Sequence, residues 1–404
     1  MLNWLPPLFF FAILMGSPVV GFLVFALLGM IHAWESYRQR VTARAFEWTL
    51  EDSGLTLAFA SIPLFKAATM LWSPVPLLAL QNAGWHAYFL LWPLVLLGLH
   101  RCRGSQTAAE RALALGLITT ALWRTGYEVT QWEWLFPGTA NLGILAQLTM
   151  TAGIWNLIAL TRNDVQEPYK WRCIKAIAVP ATVAVLIISN RRLELLGFGM
   201  LAMLVIGWRV RQWLTPVRAV AACAVAALIL GALVYLRWEK FALGFEQIAQ
   251  YRVHGANTED FTLNSWGIRL ELWRVSLAAF LDHPWLGLSA SARPFSMQAW
   301  GAPAPELFNH RHFHSHLMQT LVEGGLLGLI VLVLTLVYSS RKLIFTPWKH
   351  QQETALLAAG LLASYIVEGS ASATLHYDKA NALLVVMSCW VWLQLRAKPS
   401  SSMP

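Results

Sequence analysis

Two groups of side chains in this sequence have the types and spacing needed to act on an anionic substrate. Asn190-Arg191-Arg192 lies between two apolar runs, and Arg269-Leu-Glu-Leu-Trp273 places an arginine and a tryptophan one helical turn apart. A guanidinium stays charged at physiological pH and can hold phosphate oxygens with two parallel hydrogen bonds. The three arginines are therefore candidates for binding a phosphate or diphosphate. The alternative is that they extend toward lipid headgroups.

A row of histidines at alternate positions forms the third candidate group: His310, His312, His314 and His316. In an extended strand all four would share one face and suit a metal ion, whereas in a helix only one or two would reach a common site. A neutral imidazole is also a good general base for a sugar hydroxyl. A base, a metal site and histidines that cap the next helix all remain possible interpretations of this row.

The composition indicates what must position these residues. The chain has 404 residues, of which 57% are hydrophobic and only 13% are charged, against roughly 25% charged in soluble domains. Its mean hydropathy is +0.52, which excludes an ordinary globular protein. Apolar runs of nearly membrane-spanning length recur along the chain, so we expect an all-α polytopic transmembrane bundle of about twelve spans. These spans are expected near residues 2–15, 18–34, 52–72, 85–99, 110–126, 139–160, 174–189, 193–208, 218–236, 316–338, 354–370 and 380–395.

The distribution of Lys and Arg predicts the orientation of the spans. The net charge of +9 arises mostly from cations in alternate loops, as expected of cytoplasmic loops rather than of a nucleic-acid-binding surface. We read the first apolar run as a retained span, and its break at residues 15–18 leaves a count of twelve or eleven. The expected cytoplasmic cations are Arg38, Arg40, Arg44, Arg101, Arg103, Arg111, Arg162, Lys170, Arg172, Lys175, Arg209, Arg211, Arg218, Arg341, Lys342, Lys349, Arg396 and Lys398.

This orientation places all three candidate groups on the extracytoplasmic side. Residues 1–236 would form spans one to nine, residues 237–315 a large outer loop, and residues 316–404 the last three spans and a short tail. Trp266, Trp273, Trp285 and Trp300 make the loop amphipathic, so we expect it to lie along the membrane and to cover a cavity between the spans. The chemistry is therefore expected outside the cytoplasm.

Several of these motifs resemble the O-antigen ligase and polymerase superfamily of bacterial membrane glycosyltransferases, and within it the ligase branch. The Arg269-to-Trp273 pattern runs on to a His283-Pro284-Trp285-Leu286-Gly287 turn. His314-Ser315 is followed by nine residues, then Gly325, two residues and Gly328. Asn190-Arg191-Arg192 and Leu71-Trp72-Ser73-Pro74 are also similar to the family's pattern. Together the motifs cover residues 70 to 330.

The resemblance implies transfer of O-antigen from an undecaprenyl diphosphate carrier to a sugar of the lipid A core, at the periplasmic side of the bacterial inner membrane. It implies no metal, no other cofactor and no nucleic acid, with membrane lipids around the protein. His314 would be the base, with His312 and His316 as rivals. Arg191 and Arg269 would hold the diphosphate, with Arg192 a neighbour in an uncertain register.

Four other functions remain open at this stage. An O-antigen polymerase would share the donor, and an oligosaccharyltransferase would transfer the glycan to a protein. A flippase or secondary transporter would also need about twelve spans, but such proteins usually carry ionisable residues at the midplane in repeated halves, which this sequence lacks.

Overall fold

The computed structural model describes residues 2–12, 18–39, 46–102, 105–130, 142–162, 166–211, 231, 235, 238–254, 265–300 and 312–397. Over these ranges the chain forms helices joined by short turns and contains no strand, so the all-α prediction is confirmed. The helices are α1 Leu5–Ala12, α2 Pro18–Gln39, α3 Leu50–Ala68, α4 Pro76–Ala83, α5 Trp92–Cys102, α6 Gln106–Thr130, α7 Leu142–Leu160, α8 Tyr169–Ile188, α9 Arg192–Val210, α10 Trp238–His254, α11 Ser265–Asp282, α12 Ala292–Trp300, α13 His316–Ser340, α14 Gln352–Ala371 and α15 Asp378–Arg396.

Seven helical segments of the described ranges are long and apolar enough to cross a membrane. They are Pro18–Tyr37, Leu50–Trp72, Leu142–Leu160, Tyr169–Ile188, Arg192–Val210, His316–Lys349 and Gln352–Ala371. Each coincides with one of the twelve expected spans. The expected spans near 85–99, 110–126 and 380–395 are helical but do not meet this criterion. Residues 2–12 of the first expected span are described and contain the helix Leu5–Ala12, whereas most of 218–236 lies outside the described residues.

The centre of the bundle is occupied by helices that are apolar on all sides. Almost every residue of α7 from Leu145 to Ala159 is buried, as is α15 from Ala380 to Trp392. A helix that is hydrophobic all round can satisfy every face only when neighbours surround it. Peripheral pairs approach closely through small residues: a Cβ on Gly98 of α5 would lie 1.9 Å from the Phe25 carbonyl oxygen of α2.

One face of the bundle, here called the ion-pair face, contains the starts of α3, α6 and α14 and the ends of α5, α9 and α15. Several cations expected on the cytoplasmic side lie here, each paired with an acid. Lys175 is buried and contacts Glu110 at 3.0 Å and Glu167 at 2.5 Å. The other pairs are Arg101–Glu35, Arg111–Glu167, Arg162–Glu110, Arg209–Glu353, Lys342–Glu51 and Arg396–Asp52.

The opposite face, here called the site face, contains the ends of α8 and α14 and the starts of α9, α13 and α15. There the turn after α11 meets a kink in α13 through backbone atoms. Gly287 has φ 62°, and Gly325 has φ 57° and ψ −151°. The Leu288 N–H donates to the Val322 carbonyl at 2.7 Å, and the Leu326 N–H donates to the Pro284 carbonyl at 2.8 Å. We call this contact the glycine joint.

The glycine joint explains two sequence motifs at once. A Cβ on Gly287 would lie 2.5 Å from the Val322 oxygen, and one on Gly325 would lie 2.6 Å from Trp285 backbone atoms. Only glycine combines this close approach with these dihedrals. The His-Pro-x-x-Gly turn and the first glycine of the Gly325/Gly328 pair are therefore two halves of one contact, which fixes α11 against α13.

Candidate active site

The turn between α8 and α9 presents its arginines at a helix N-terminus. Asn190 has φ 55°, a left-handed conformation that asparagine tolerates better than most residues. Arg191 caps the 19-residue α9, and its Nε donates to Glu194 Oε1 at 3.1 Å. The unpaired N–H groups and the dipole of a helix N-terminus favour an anion. The turn thus directs two guanidiniums and a helix dipole toward the same space.

The third arginine reaches this space from α11. The Arg269 guanidinium lies 5.3 Å from the centre of the Trp266 ring, and its Nε is buried without a hydrogen-bond partner among the described residues. Burial lowers the pKa of Arg269, and the like charge of Arg191 lowers it further. A bound anion would relieve both effects, because it supplies the missing partner and the opposite charge.

Arg274 of the same helix has a different role, as its five-residue spacing from Arg269 predicts. Its Nη2 donates to Glu271 Oε1 at 2.6 Å and to the Trp300 carbonyl at 2.6 Å. Glu271 also accepts a hydrogen bond from the Tyr251 hydroxyl at 2.6 Å. Arg274 and Glu271 therefore hold α10, α11 and α12 together, while Arg269 faces the bundle.

The three arginines line one cavity of about 320 Å³, here called the arginine cavity. α10 closes it from one side, where a Cβ on Gly244 would lie 2.7 Å from an Arg192 nitrogen. The remaining walls come from the start of α9, the start of α11 and the end of α14. The lining residues are Asn190, Arg191, Arg192, Leu193, Glu194, Leu196, Gly244, Phe245, Ile248, Ser265, Trp266, Arg269, Glu368, Ala371 and Ser372.

Two carboxyl groups in this cavity were not anticipated from the sequence. Glu194 is buried and contacts Arg191, and Glu368 is buried on α14 with its Oε2 unpartnered among the described residues. The i to i+3 spacing of Arg191 and Glu194 was a usable signal for the first. No sequence pattern links Glu368 to the arginines, because it lies about a hundred residues beyond the nearest of them.

The histidine turn, residues 312–315, precedes α13 on the same face. His314 has φ 51°, and its backbone N–H donates to His312 Nδ1 at 3.2 Å. His312 Nε2 lies 2.7 Å from the Tyr377 hydroxyl oxygen, and the two imidazole rings are 4.4 Å apart. Tyr377 lies in the connection between α14 and α15, which also contains Ser372 of the arginine cavity wall. The same connection therefore contacts the histidine turn and contributes to the arginine cavity.

His316 belongs to a separate buried cluster. It lines a small cavity of about 20 Å³ with Lys66 and Glu323, which form a buried ion pair. Gln319 Nε2 donates to Glu323 Oε1 at 2.5 Å, and Gln319 Oε1 accepts the Phe313 N–H at 3.0 Å. Lys66, to which the sequence assigned no role, thus anchors α3 to α13 and supports the histidine turn.

The backbone of the histidine turn does not place the described histidines on one face, as a strand would. His312 and His314 adjoin each other, His316 points into the Lys66 cluster, and His310 lies outside the described residues. Among the residues that the structure describes, no group of three or more His, Cys, Asp or Glu could hold a metal ion.

Comparison with known protein families finds a match over the middle of the chain. Residues 177–333 match the family model described as O-antigen ligase. The match begins in α8 and ends in α13, so it includes the three arginines, the histidine turn and both glycines of the glycine joint. It leaves out the α14 wall of the cavity, and it covers less than half of the chain. No curated protein matches the sequence.

Proposed function

We propose that this integral membrane protein transfers O-antigen polysaccharide from undecaprenyl diphosphate to a sugar of the lipid A core, a function that the match of residues 177–333 to the O-antigen ligase family model supports. The observation that carries the proposal is the convergence of Arg191, Arg192 and Arg269 on one cavity at the end of the membrane-spanning helices. A lipid-linked donor must be met at the bilayer surface, and its diphosphate is the anion that such a cavity suits.

Arg191 and Arg269 bind the diphosphate in this proposal. Arg191 lines the cavity and contacts Glu194 through Nε, so its two terminal nitrogens are the atoms proposed to hold the diphosphate, and Arg269 Nε is buried without a described partner. When the bond between the anomeric carbon and the phosphate oxygen breaks, negative charge grows on the diphosphate. Two fixed guanidiniums and the α9 N-terminus stabilise that charge more in the transition state than in the ground state.

His314 is the proposed general base. It accepts the proton of an acceptor hydroxyl on the lipid A core, and the oxygen attacks the anomeric carbon as the diphosphate leaves with its lipid. A single direct attack inverts the anomeric centre. The leaving group is already activated, so the reaction requires no metal ion and no nucleotide. Glu194 and Glu368 lie among arginines, which assigns them to the diphosphate cavity rather than to a hydrolytic pair.

The proposed topology is twelve spans in the bacterial inner membrane, with residues 237–315 as the periplasmic loop and the site face toward the periplasm. The paired cations of the ion-pair face support this orientation, because positively charged residues favour the cytoplasmic side. A cysteine introduced at Asp282 should react with a membrane-impermeant thiol reagent in whole cells, whereas one at His350 should not. The reverse pattern would contradict the orientation.

The function is tested in a strain that lacks the protein. We expect long O-antigen to remain on its lipid carrier while the lipid A core stays bare. Single repeats attached to the core would instead indicate the polymerase of the same superfamily. Normal lipopolysaccharide with an unglycosylated protein would indicate protein O-oligosaccharyltransfer, and polymer trapped on the cytoplasmic side would indicate a flippase.

Complementation with variants tests the site. Arg269→Ala should abolish ligation, whereas Arg252→Ala should retain it, because Arg252 is exposed on α10 and does not line the arginine cavity. His314→Ala should also abolish ligation, with His350→Ala as its control on the ion-pair face. Each variant must be present in the membrane at the normal level. Full ligation by Arg269→Ala or His314→Ala would refute the assigned role.

A further inference from the structure

We infer that His312 is a positioning residue for His314, held in one tautomer by Tyr377, and not an alternative base. The inference rests on the proposed function, since it presupposes that His314 takes the acceptor proton. Two hydrogen bonds of His312 support it. The His314 N–H donates to His312 Nδ1, and His312 Nε2 is hydrogen-bonded to the Tyr377 hydroxyl.

These contacts fix the tautomer of His312. A backbone N–H can only donate, so Nδ1 of His312 must carry the lone pair that accepts it. A neutral imidazole has one proton, which therefore lies on Nε2 and is donated to the Tyr377 oxygen. A general base needs a nitrogen lone pair that can accept a proton. The only such lone pair of His312 accepts the His314 N–H, so His312 cannot act as the base.

The contact to His314 restrains a backbone that L-residues rarely adopt. His314 has φ 51°, and residues in sparsely populated dihedral regions persist only where the surrounding structure determines them. Phe313 anchors one side of the turn, because its side chain is buried between α11, α12 and α13 and its N–H is bound by Gln319. His312 supplies the hydrogen bond at the strained residue itself.

Tyr377 connects this turn to the donor cavity. It lies in the connection between α14 and α15, which also contains Ser372 of the arginine cavity wall. The position of His314 therefore depends on the same connection that contributes to the cavity wall. Tyr377 therefore helps to fix the position of the His314 imidazole relative to the bound diphosphate. It lies outside residues 177–333, which match the family model.

The test compares two isosteric replacements. In His312→Asn, Oδ1 stands where Nδ1 stood and still accepts the His314 N–H, while in His312→Gln the polar atoms reach only the Nε2 position. We expect kcat to fall about tenfold in His312→Asn and Tyr377→Phe, the effect of one lost hydrogen bond. In His312→Gln and His312→Ala we expect a fall of about 100-fold, as for a displaced catalytic group. The KM for the lipid-linked donor should not change.

A double variant provides an independent readout. His312→Asn already lacks the donor to Tyr377, so adding Tyr377→Phe should cause no further loss. Tyr169→Phe, an exposed tyrosine at the start of α8, is the control. If His312→Asn is as slow as His312→Ala, or if the double variant loses the product of both single effects, the inference is wrong. Because Tyr377→Phe keeps the size of the side chain, it tests the inference even if a His312 variant fails to fold.

The outcomes separate this inference from the proposed function. A fully active His314→Ala would remove His314 as the base and with it the basis of the positioning role. An inactive His314→Ala combined with equal His312→Asn and His312→Ala rates would leave the base in place and refute only the role of His312.

Discussion

Replacing Gly325 by alanine tests whether the glycine joint sets the relation between the helix that carries Arg269 and the helix that follows His314. Gly325 has φ 57° and ψ −151°, a combination that is essentially restricted to glycine. The added methyl group would lie 2.6 Å from the Trp285 carbonyl carbon and oxygen, so the turn after α11 and the kink in α13 would have to separate.

The structure allows the cost to be estimated. The backbone conformation contributes on the order of 1–3 kcal/mol. Separation also removes the Leu326 N–H bond to Pro284 at 2.8 Å and the Leu327 N–H bond to Trp285 at 3.1 Å, each worth roughly 0.5–1.5 kcal/mol. The midpoints of these ranges add to about 4 kcal/mol, which would lower the docking equilibrium by nearly three orders of magnitude, since 1.4 kcal/mol corresponds to a factor of ten.

Two measurements would detect the separation of the turn after α11 from the kink in α13. The rate of proteolysis within α11 and α12 in detergent should rise, and the rate of O-antigen transfer should fall, because Arg269 is no longer held in the cavity. Gly207→Ala is the matched control, since no atom lies within 4 Å of its added Cβ. Wild-type proteolysis and transfer rates in Gly325→Ala would refute the joint as the element that positions α11.

Three further predictions concern the site face. Lys66→Met should lower the free energy of unfolding by about 3–5 kcal/mol, because it leaves the Glu323 carboxylate buried without its partner. Adding Glu323→Leu to this variant should restore most of the lost stability. Equal melting temperatures of the single and double variants would contradict this prediction. Arg191→Lys should lower kcat at least about tenfold, since lysine keeps the charge but loses the bidentate fork, and normal kcat would remove the diphosphate role. Chelators should not change the rate in purified protein, and inactivation that zinc reverses would establish a metal site instead.

The parts of the fold that follow from local sequence patterns were predictable. Seven expected spans coincide with long apolar helices because length and hydropathy are properties of a single segment. The separation of Arg269 from Arg274 follows from the 3.6-residue period of a helix. The three arginines were singled out because they are cations in segments expected on the side where cations are rare. The structure brings them to one cavity, although no sequence pattern indicated which other residues line it.

The parts that depend on distant contacts were not predictable. Glu368 and Tyr377 reach the site from α14 and the connection after it, and their spacing from Arg191 or His312 carries no periodic signal. The pairing of Lys66 with Glu323 joins α3 to α13 across more than 250 residues. The described histidines do not share one face because His314 adopts a left-handed backbone conformation, and the alternation of histidines in the sequence does not indicate this conformation.

The walls of the arginine cavity have a consequence for biosynthesis. They come from residues 190–196, 244–248, 265–269 and 368–372, so the cavity is incomplete until α14 has left the ribosome and entered the membrane. A nascent chain therefore displays its arginines without an enclosed anion site during most of its synthesis. For the same reason, a fragment limited to residues 177–333 would carry the proposed base and all three arginines but lack the wall formed by Glu368 and Ser372.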